Sequence, residues 1–123
     1  MTGSALLWAG VALVSGAGAS LRFILDSAVQ GPRPGRFPRG ILVVNGLGAF
    51  LLGVLHGAGV TGDDLLLSGT ALLGSFTTFS TWMVQSERLA VEGEGGLALL
   101  NVAGSLALGL GAVVAGWALG AAL

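Results

Sequence analysis

The chain has 123 residues, of which 54% are hydrophobic and 9% are charged, and its formal net charge is −1. A chain with a mean hydropathy of +0.91 is too apolar to fold as a soluble domain with a wettable surface, so a membrane location is predicted. Cysteine is absent and His56 is the one histidine, which excludes disulfides, thiolate metal sites and a zinc site built from histidines.

Four apolar stretches follow one another along the chain. Each approaches the ~20 residues that a helix needs to cross a bilayer, and they cover 4–25, 39–59, 65–86 and 96–121. The sequence therefore predicts an all-α integral membrane protein, with one domain over 1–123 made of four transmembrane helices. Nothing basic precedes the first stretch, so we expect a retained helix there and not a signal peptide.

The basic residues are distributed unevenly among the connections. All of them are arginines, they flank the first and third connections, and they are Arg22, Arg33, Arg36, Arg39 and Arg88. The second connection offers only the acids Asp63 and Asp64. The positive-inside rule then predicts that the 26–38 and 88–95 loops are cytoplasmic and that both termini lie outside.

Small residues at four-residue spacing line one face of three predicted helices. They are Ala12, Gly16 and Ser20 in helix 1, Asn45, Ala49, Gly53 and Gly57 in helix 2, and Ala112, Gly116 and Gly120 in helix 4. Such faces allow close helix packing in lipid, either within one subunit or between subunits, and both remain open here. Because four short helices leave little room for a central aqueous path, we expect an oligomer.

Hydroxyl groups are concentrated at the middle of predicted helix 3. Five of the seven residues over 75–81 are serine or threonine, and Phe76, Phe79 and Trp82 are interleaved with them. The tandem threonines Thr77 and Thr78 favour a break in the helix, since their hydroxyls compete for backbone carbonyls. One interpretation is that each hydroxyl bonds back to a carbonyl of its own helix. Five hydroxyl residues so close together instead favour an ion site or a pathway lined by hydroxyl groups.

Polar residues on the other helices each allow two interpretations. Asn45, and similarly Asn101 and Ser105, could make interhelical hydrogen bonds or bind an anion through their donors. Arg22 could be an interfacial anchor or could hold anions at a cytoplasmic mouth. The ring edges of Phe79 and Trp82 could stabilise a small anion, although buried aromatic residues usually serve in packing.

The chain resembles the Fluc/CrcB fluoride channels. The resemblance covers nearly all of the chain and is strongest at TTFST (77–81), with further matches at GAGASLRF (16–23), GILVVNGLGAF (40–50) and ALLNV (98–102). It implies an antiparallel, dual-topology dimer with two narrow pores in the inner (plasma) membrane. It also implies passive fluoride export that lowers fluoride toxicity.

The resemblance assigns roles to individual residues. Asn45 matches a fluoride-binding asparagine, Phe79 and Trp82 take the places of two phenylalanines whose ring edges face the ion, and Ser80 and Thr81 match hydroxyls of the pore. The residues themselves, and not the resemblance, add Asn101 and Ser105 of helix 4 to the predicted pore and Arg22 to its vestibule. The backbone carbonyls of Gly74 and Thr77 match ligands of a structural sodium ion that is not transported. Two departures stand out: Trp82 replaces a phenylalanine, and Ile41 stands where the family often has threonine.

The charge pattern and the acidic residues bear on the alternatives. A strong arginine bias disfavours insertion in both directions, so we hypothesise that the chain pairs with a related chain of opposite orientation. Its other predicted partners are fluoride and membrane lipid, and no nucleic acid is expected. A small proton-coupled multidrug exporter would need a carboxylate at mid-membrane, and none of the six acids lies near a helix centre. A further alternative is that the chain is a non-conducting subunit of a heterodimeric channel.

No nucleophile–base pair or metal cluster is visible in the sequence, so the chain is not expected to be an enzyme.

Overall fold

A computed structural model describes residues 2–32, 35 and 37–123, with only the backbone of Thr2 described. Every regular element in this part of the chain is helical, which confirms the predicted all-α class. The elements are α1 (Thr2–Gln30), α2 (Arg39–Gly57), α3 (Gly62–Leu65), a π-helical segment (Leu66–Leu73), α4 (Gly74–Phe76), α5 (Ser80–Val91) and α6 (Gly95–Ala122). Arg33 and Arg36 of the first connection lie outside the described residues.

Three helices in the described part are long and apolar enough to cross a membrane. They are Gly3–Gln30 within α1, then α2, then α6. The third predicted helix is instead a series of short helices, which we call the broken stretch, from Gly62 to Val91. The count of four transmembrane helices and the single domain over 1–123 therefore stay predictions.

The broken stretch follows α1 over its first half and α6 over its second. Gly10 lies against Leu67, and a Cβ placed on Gly18 would overlap the Leu72 carbonyl oxygen. The residue numbers rise together, so α1 and the π-helical segment run in the same direction. Beyond the break, α5 packs on α6.

The predicted break in helix 3 is confirmed. Helix α4 ends at Phe76, Thr77 has an extended backbone with φ −83° and ψ 163°, and α5 begins at Ser80. The turns before α4 are π-helical over Leu66–Leu73, and such wide turns are frequent at functional sites. Gly48 of α2 faces the break, where a Cβ would overlap the Thr77 methyl group.

Helices α2 and α6 approach each other at backbone distance through their small faces. A Cβ placed on Gly53 would overlap the Val113 carbonyl oxygen, and one placed on Gly116 would overlap that of Phe50. Glycine therefore lets the two backbones touch, as is common between helices in lipid. For these two stripes, packing within one subunit is the arrangement found.

We expect Gly116→Val to separate α2 from α6 and to lower the stability of the protein. The added side chain meets backbone atoms of Phe50, which cannot rotate away, so the cost should reach or exceed the ~1–3 kcal/mol typical of overpacking. Thermal unfolding of the protein in detergent, followed by size-exclusion chromatography of heated samples, measures the loss.

Gly111→Ala is the matched control on the same helix. Its Cβ would meet nothing within 4 Å, and alanine is a better helix former than glycine by about 1 kcal/mol. The midpoint temperature of thermal unfolding should therefore be unchanged or slightly higher. Equal midpoints for Gly116→Val and Gly111→Ala would contradict the close approach.

Candidate functional site

The side chain of Asn45 pairs with the backbone of the break. Its Nδ2 donates to the Thr78 carbonyl oxygen at 2.8 Å, and its Oδ1 accepts from the Thr78 N–H at 2.9 Å. The Asn45 side chain thus pairs with both the N–H and the carbonyl oxygen of Thr78, which have no partner within a helix because the helix is broken here. Of the two interpretations open for Asn45, the interhelical hydrogen bond is present, and the second Nδ2–H makes no hydrogen bond in the described part of the chain.

Arg22 reaches the same break from α1. Its Nη1 donates to the Thr77 carbonyl oxygen at 3.3 Å, and the residue is half-buried. Arg22 lies about two helical turns, roughly 12 Å, before the end of α1. Its guanidinium therefore contacts the broken backbone of the neighbouring helix.

The threonine hydroxyls at the break bond to nearby backbone. Thr77 Oγ1 donates to the Leu73 carbonyl at 2.9 Å, and Thr78 Oγ1 accepts from the Thr81 N–H at 3.3 Å, at the start of α5. The back-bonding interpretation therefore holds for Thr77, while Thr78 satisfies an N–H that the first turn of a helix leaves free. Ser80 is exposed and Thr81 is half-buried.

A cavity of about 640 Å³ lies between α2 and the broken stretch. Asn45, Gly74, Thr77, Phe79 and Trp82 all line it. The structure thus brings five of the predicted site residues to one cavity. His56, for which the sequence suggested no role, lines the same cavity about three turns along α2 from Asn45.

The two aromatic residues at the break are in edge-to-face contact. The ring centroids of Phe79 and Trp82 are 5.6 Å apart with an interplanar angle of 86°. Phe79 is 70% exposed, so most of its ring is free to contact lipid or another subunit. The indole N–H of Trp82 donates to the Asn101 carbonyl at 3.0 Å and is therefore not free to bind an ion.

Asn101 belongs to a buried polar network between α5 and α6. It is 1% exposed, its Nδ2 donates to Ser86 Oγ at 2.8 Å, and its Oδ1 accepts from Ser105 Oγ at 3.4 Å. Ser86 in turn donates to the Trp82 carbonyl at 2.9 Å. Asn101 and Ser105 were predicted at the pore with Asn45, but they lie in this network and do not line the cavity.

Two neighbouring residues of α5 were overlooked in the sequence. Ser86 is buried in the network just described, and its position one turn after Trp82 was the available signal. The Oε1 atom of Gln85 is buried without a hydrogen-bond partner in the described part of the chain. An amide inside a stretch predicted to cross the membrane was the available signal, as it was for Asn45.

The electrostatic character of the site is set by one charge and several dipoles. Among the described residues, Arg22 is the charged side chain bonded to the break, and no aspartate or glutamate lines the cavity. The described residues contain no group of three or more histidine, cysteine, aspartate or glutamate side chains that could hold a metal. Helix α5 also directs the positive end of its dipole at the break. The arrangement suits an anion better than a divalent cation.

Comparison with known proteins gives matches over most of the chain. The family model described as CrcB-like protein, Camphor Resistance (CrcB), matches residues 9–117. A protein of Mycolicibacterium paratuberculosis named fluoride-specific ion channel FluC 2 is 48% identical over 103 residues, covering 84% of each chain. The FluC 2 protein of Mycobacterium tuberculosis is 44% identical over 89% of this chain and 87% of its own. The FluC protein of Deinococcus radiodurans is 45% identical over 95% of this chain and 97% of its own.

These matches confirm the resemblance seen in the sequence. The relatives are named as ion channels, which supports the prediction that the chain is not an enzyme. Together with the three apolar helices, they identify a multi-pass protein of the cell membrane. The chain belongs to the CrcB-like protein family.

Proposed function

We propose that this chain is a subunit of a fluoride-selective channel through which fluoride leaves the cytoplasm passively. The observation that carries the proposal is the break itself, where Asn45 and Arg22 hold the peptide groups of Thr77 and Thr78 beside an uncharged, partly aromatic cavity. The names of the relatives support fluoride as the permeant ion.

Fluoride entering such a site exchanges water for neutral donors. Asn45 and Phe79 line the cavity, and the second N–H of Asn45 and the ring edges of Phe79 can each meet an anion without carrying a full charge. The neighbouring Ser80 and Thr81 do not line this cavity, so their hydroxyls stay predicted pore groups. A neutral lining binds an ion firmly enough to admit it and weakly enough to release it. A narrow bore then admits fluoride and excludes the larger chloride.

Trp82, Asn101 and Ser105 act in this proposal by shaping the bore. The network that includes Asn101 and Ser86 holds both the indole N–H and the backbone carbonyl of Trp82. Trp82 therefore presents a ring of fixed orientation to Phe79. Ser105 supports this network through Asn101.

A second subunit is needed to complete the pore. Both the cavity and the Phe79 ring are open to the surroundings of the chain, and polar groups that hold an ion inside a bilayer must be shielded from lipid. We propose an antiparallel dimer. The arginine distribution makes a related, oppositely inserted chain the partner that the positive-inside rule favours.

The predicted sodium ion fits the described residues poorly. Gly74 is exposed and lines the cavity, but the Thr77 carbonyl already accepts a hydrogen bond from Arg22. A sodium ion on that oxygen would lie about 4 Å from the guanidinium and be repelled by roughly 4 kcal/mol at an effective dielectric constant of about 20. Sodium at Gly74 and Thr77 therefore stays a prediction, and no step of the proposed conduction passes through it.

A second candidate is a non-conducting subunit of a heterodimeric channel. The observation in its favour is Trp82, a large ring at the break whose N–H is already bonded to Asn101. The multidrug exporter has no such support, because no aspartate or glutamate of the described chain lines the cavity.

Fluoride efflux from proteoliposomes tests the proposed function directly. Liposomes loaded with potassium fluoride, with valinomycin to balance charge, should release fluoride when they contain the protein, either alone or co-purified with a related chain from the same source. We expect Asn45→Ala to reduce the rate about tenfold or more, because it removes a donor and leaves the Thr78 peptide unpaired, at ~1–3 kcal/mol.

Ser20→Ala is the control for Asn45→Ala. Ser20 is exposed on α1 and bonds to its own helix at Gly16, so efflux should be unchanged. Wild-type protein that releases no fluoride in either preparation would contradict channel function. Wild-type rates in Asn45→Ala would instead identify the chain as a scaffold.

Replacing Trp82 by phenylalanine should widen the bore. We expect Trp82→Phe to raise fluoride efflux several-fold in the same assay, because the smaller ring no longer bonds to Asn101. Loss of one such hydrogen bond costs about 1 kcal/mol, so the protein should still fold. Wild-type or lower efflux in folded Trp82→Phe would show that this ring does not restrict conduction.

Reporter fusions at the C-terminus test the orientation of the chain. Alkaline phosphatase, active outside the cytoplasm, should be active, and green fluorescent protein, fluorescent when cytoplasmic, should be dark. Changing Arg33, Arg36 and Arg39 to glutamine should mix the orientations, since these charges carry the bias. Equal signals from both reporters on the unmodified chain would contradict a fixed orientation.

A further inference from the structure

Arg22 is a cation placed inside a predicted membrane span without an acidic partner. It lies within Gly3–Gln30, and no ion pair involving it is present among the described residues. A charged side chain is costly wherever such a span lies in hydrocarbon, unless another group compensates it. In this chain its hydrogen-bond partner is the Thr77 carbonyl oxygen.

The break presents the negative end of a helix to this cation. Helical backbone continues from Gly62 to Phe76 and then stops, so the last carbonyls lack intrahelical donors and carry partial negative charge. The Thr78 N–H, which would continue the helix, bonds to Asn45 instead. A guanidinium at this end neutralises the carbonyls in the way that a bound metal cation would.

We propose that Arg22 is the resident cation of the break and competes with sodium for the Thr77 carbonyl. With Arg22 in place the break has little affinity for sodium, and removal of the charge exposes carbonyl oxygens that a small monovalent cation can bind. Arg22 is then a positioning residue, which holds the carbonyls at the end of α4 and leaves the dipole of α5 unopposed.

Thermal stability in two salts tests the competition without any fluoride. Purified protein in detergent is heated in sodium chloride or in choline chloride at equal ionic strength, and the Tm is compared. Wild-type protein should have the same Tm in both. Arg22→Gln should have a lower Tm in choline and should recover about 5 °C or more, in a saturable way, as sodium replaces choline.

Two further variants separate charge from mere packing. Arg22→Lys keeps the charge and should remain insensitive to sodium, whereas equal sodium responses in the Lys and Gln variants would contradict competition by charge. Arg88→Gln removes an exposed arginine of α5 and should behave like wild type.

The outcomes that overturn the inference are distinct from those that overturn the fluoride channel. A saturable rise in the Tm of the wild-type protein with sodium would contradict the inference. A folded Arg22→Gln variant whose Tm does not change with sodium would also contradict it. If Arg22→Gln is lost on purification in choline, purification in sodium should rescue it, and loss in both salts also contradicts the inference. None of these results depends on fluoride transport, so the channel proposal is tested separately.

Discussion

The pairing of the Asn45 amide with the Thr78 peptide is the interaction on which the rest of the site depends. A helix that stops inside hydrocarbon leaves peptide groups that water cannot reach, and each costs several kcal/mol if unpaired. Asn45 supplies one donor and one acceptor in the geometry of a peptide. The close approach that this pairing requires is possible because Gly48, one turn further along α2, has no side chain to meet Thr77.

The two halves of the broken stretch are held by different helices. The first half packs on α1, where Gly18 lets the Leu72 carbonyl approach, and the second half is bonded to α6 through Asn101 and Ser86. Because α6 is itself packed on α2 through Gly53 and Gly116, the helices that carry Asn45 and Asn101 form one unit. The break is the junction between these two supports, so its position follows from packing as well as from the threonines.

The sequence was informative where a feature is local. Hydropathy predicted the long helices, the tandem threonines predicted the break, and the small-residue stripes of helices 2 and 4 predicted their close packing. In helix 1 the close approach is at Gly18, while Gly16 of the predicted stripe meets nothing within 4 Å. It could not distinguish Asn45 from Asn101, since both are amides in apolar helices, and only the tertiary arrangement shows that one meets a broken backbone and the other a serine. The contact between Arg22 and the Thr77 carbonyl was likewise not predictable, because the sequence does not show in which direction a long side chain points.

In the proposed channel, the charges at the break would allow selectivity without trapping an ion. The positive guanidinium of Arg22 bonds to the carbonyl end of one helix, so part of its charge is compensated where it sits. The cavity itself is lined by the Asn45 amide and the rings of Phe79 and Trp82, which carry partial charges only. In the proposed channel an anion would therefore be preferred to a cation, and no aspartate, glutamate, lysine or arginine among the described residues lines the cavity to hold either ion firmly. Rapid passage of a small, strongly hydrated anion requires this balance between dehydration and release.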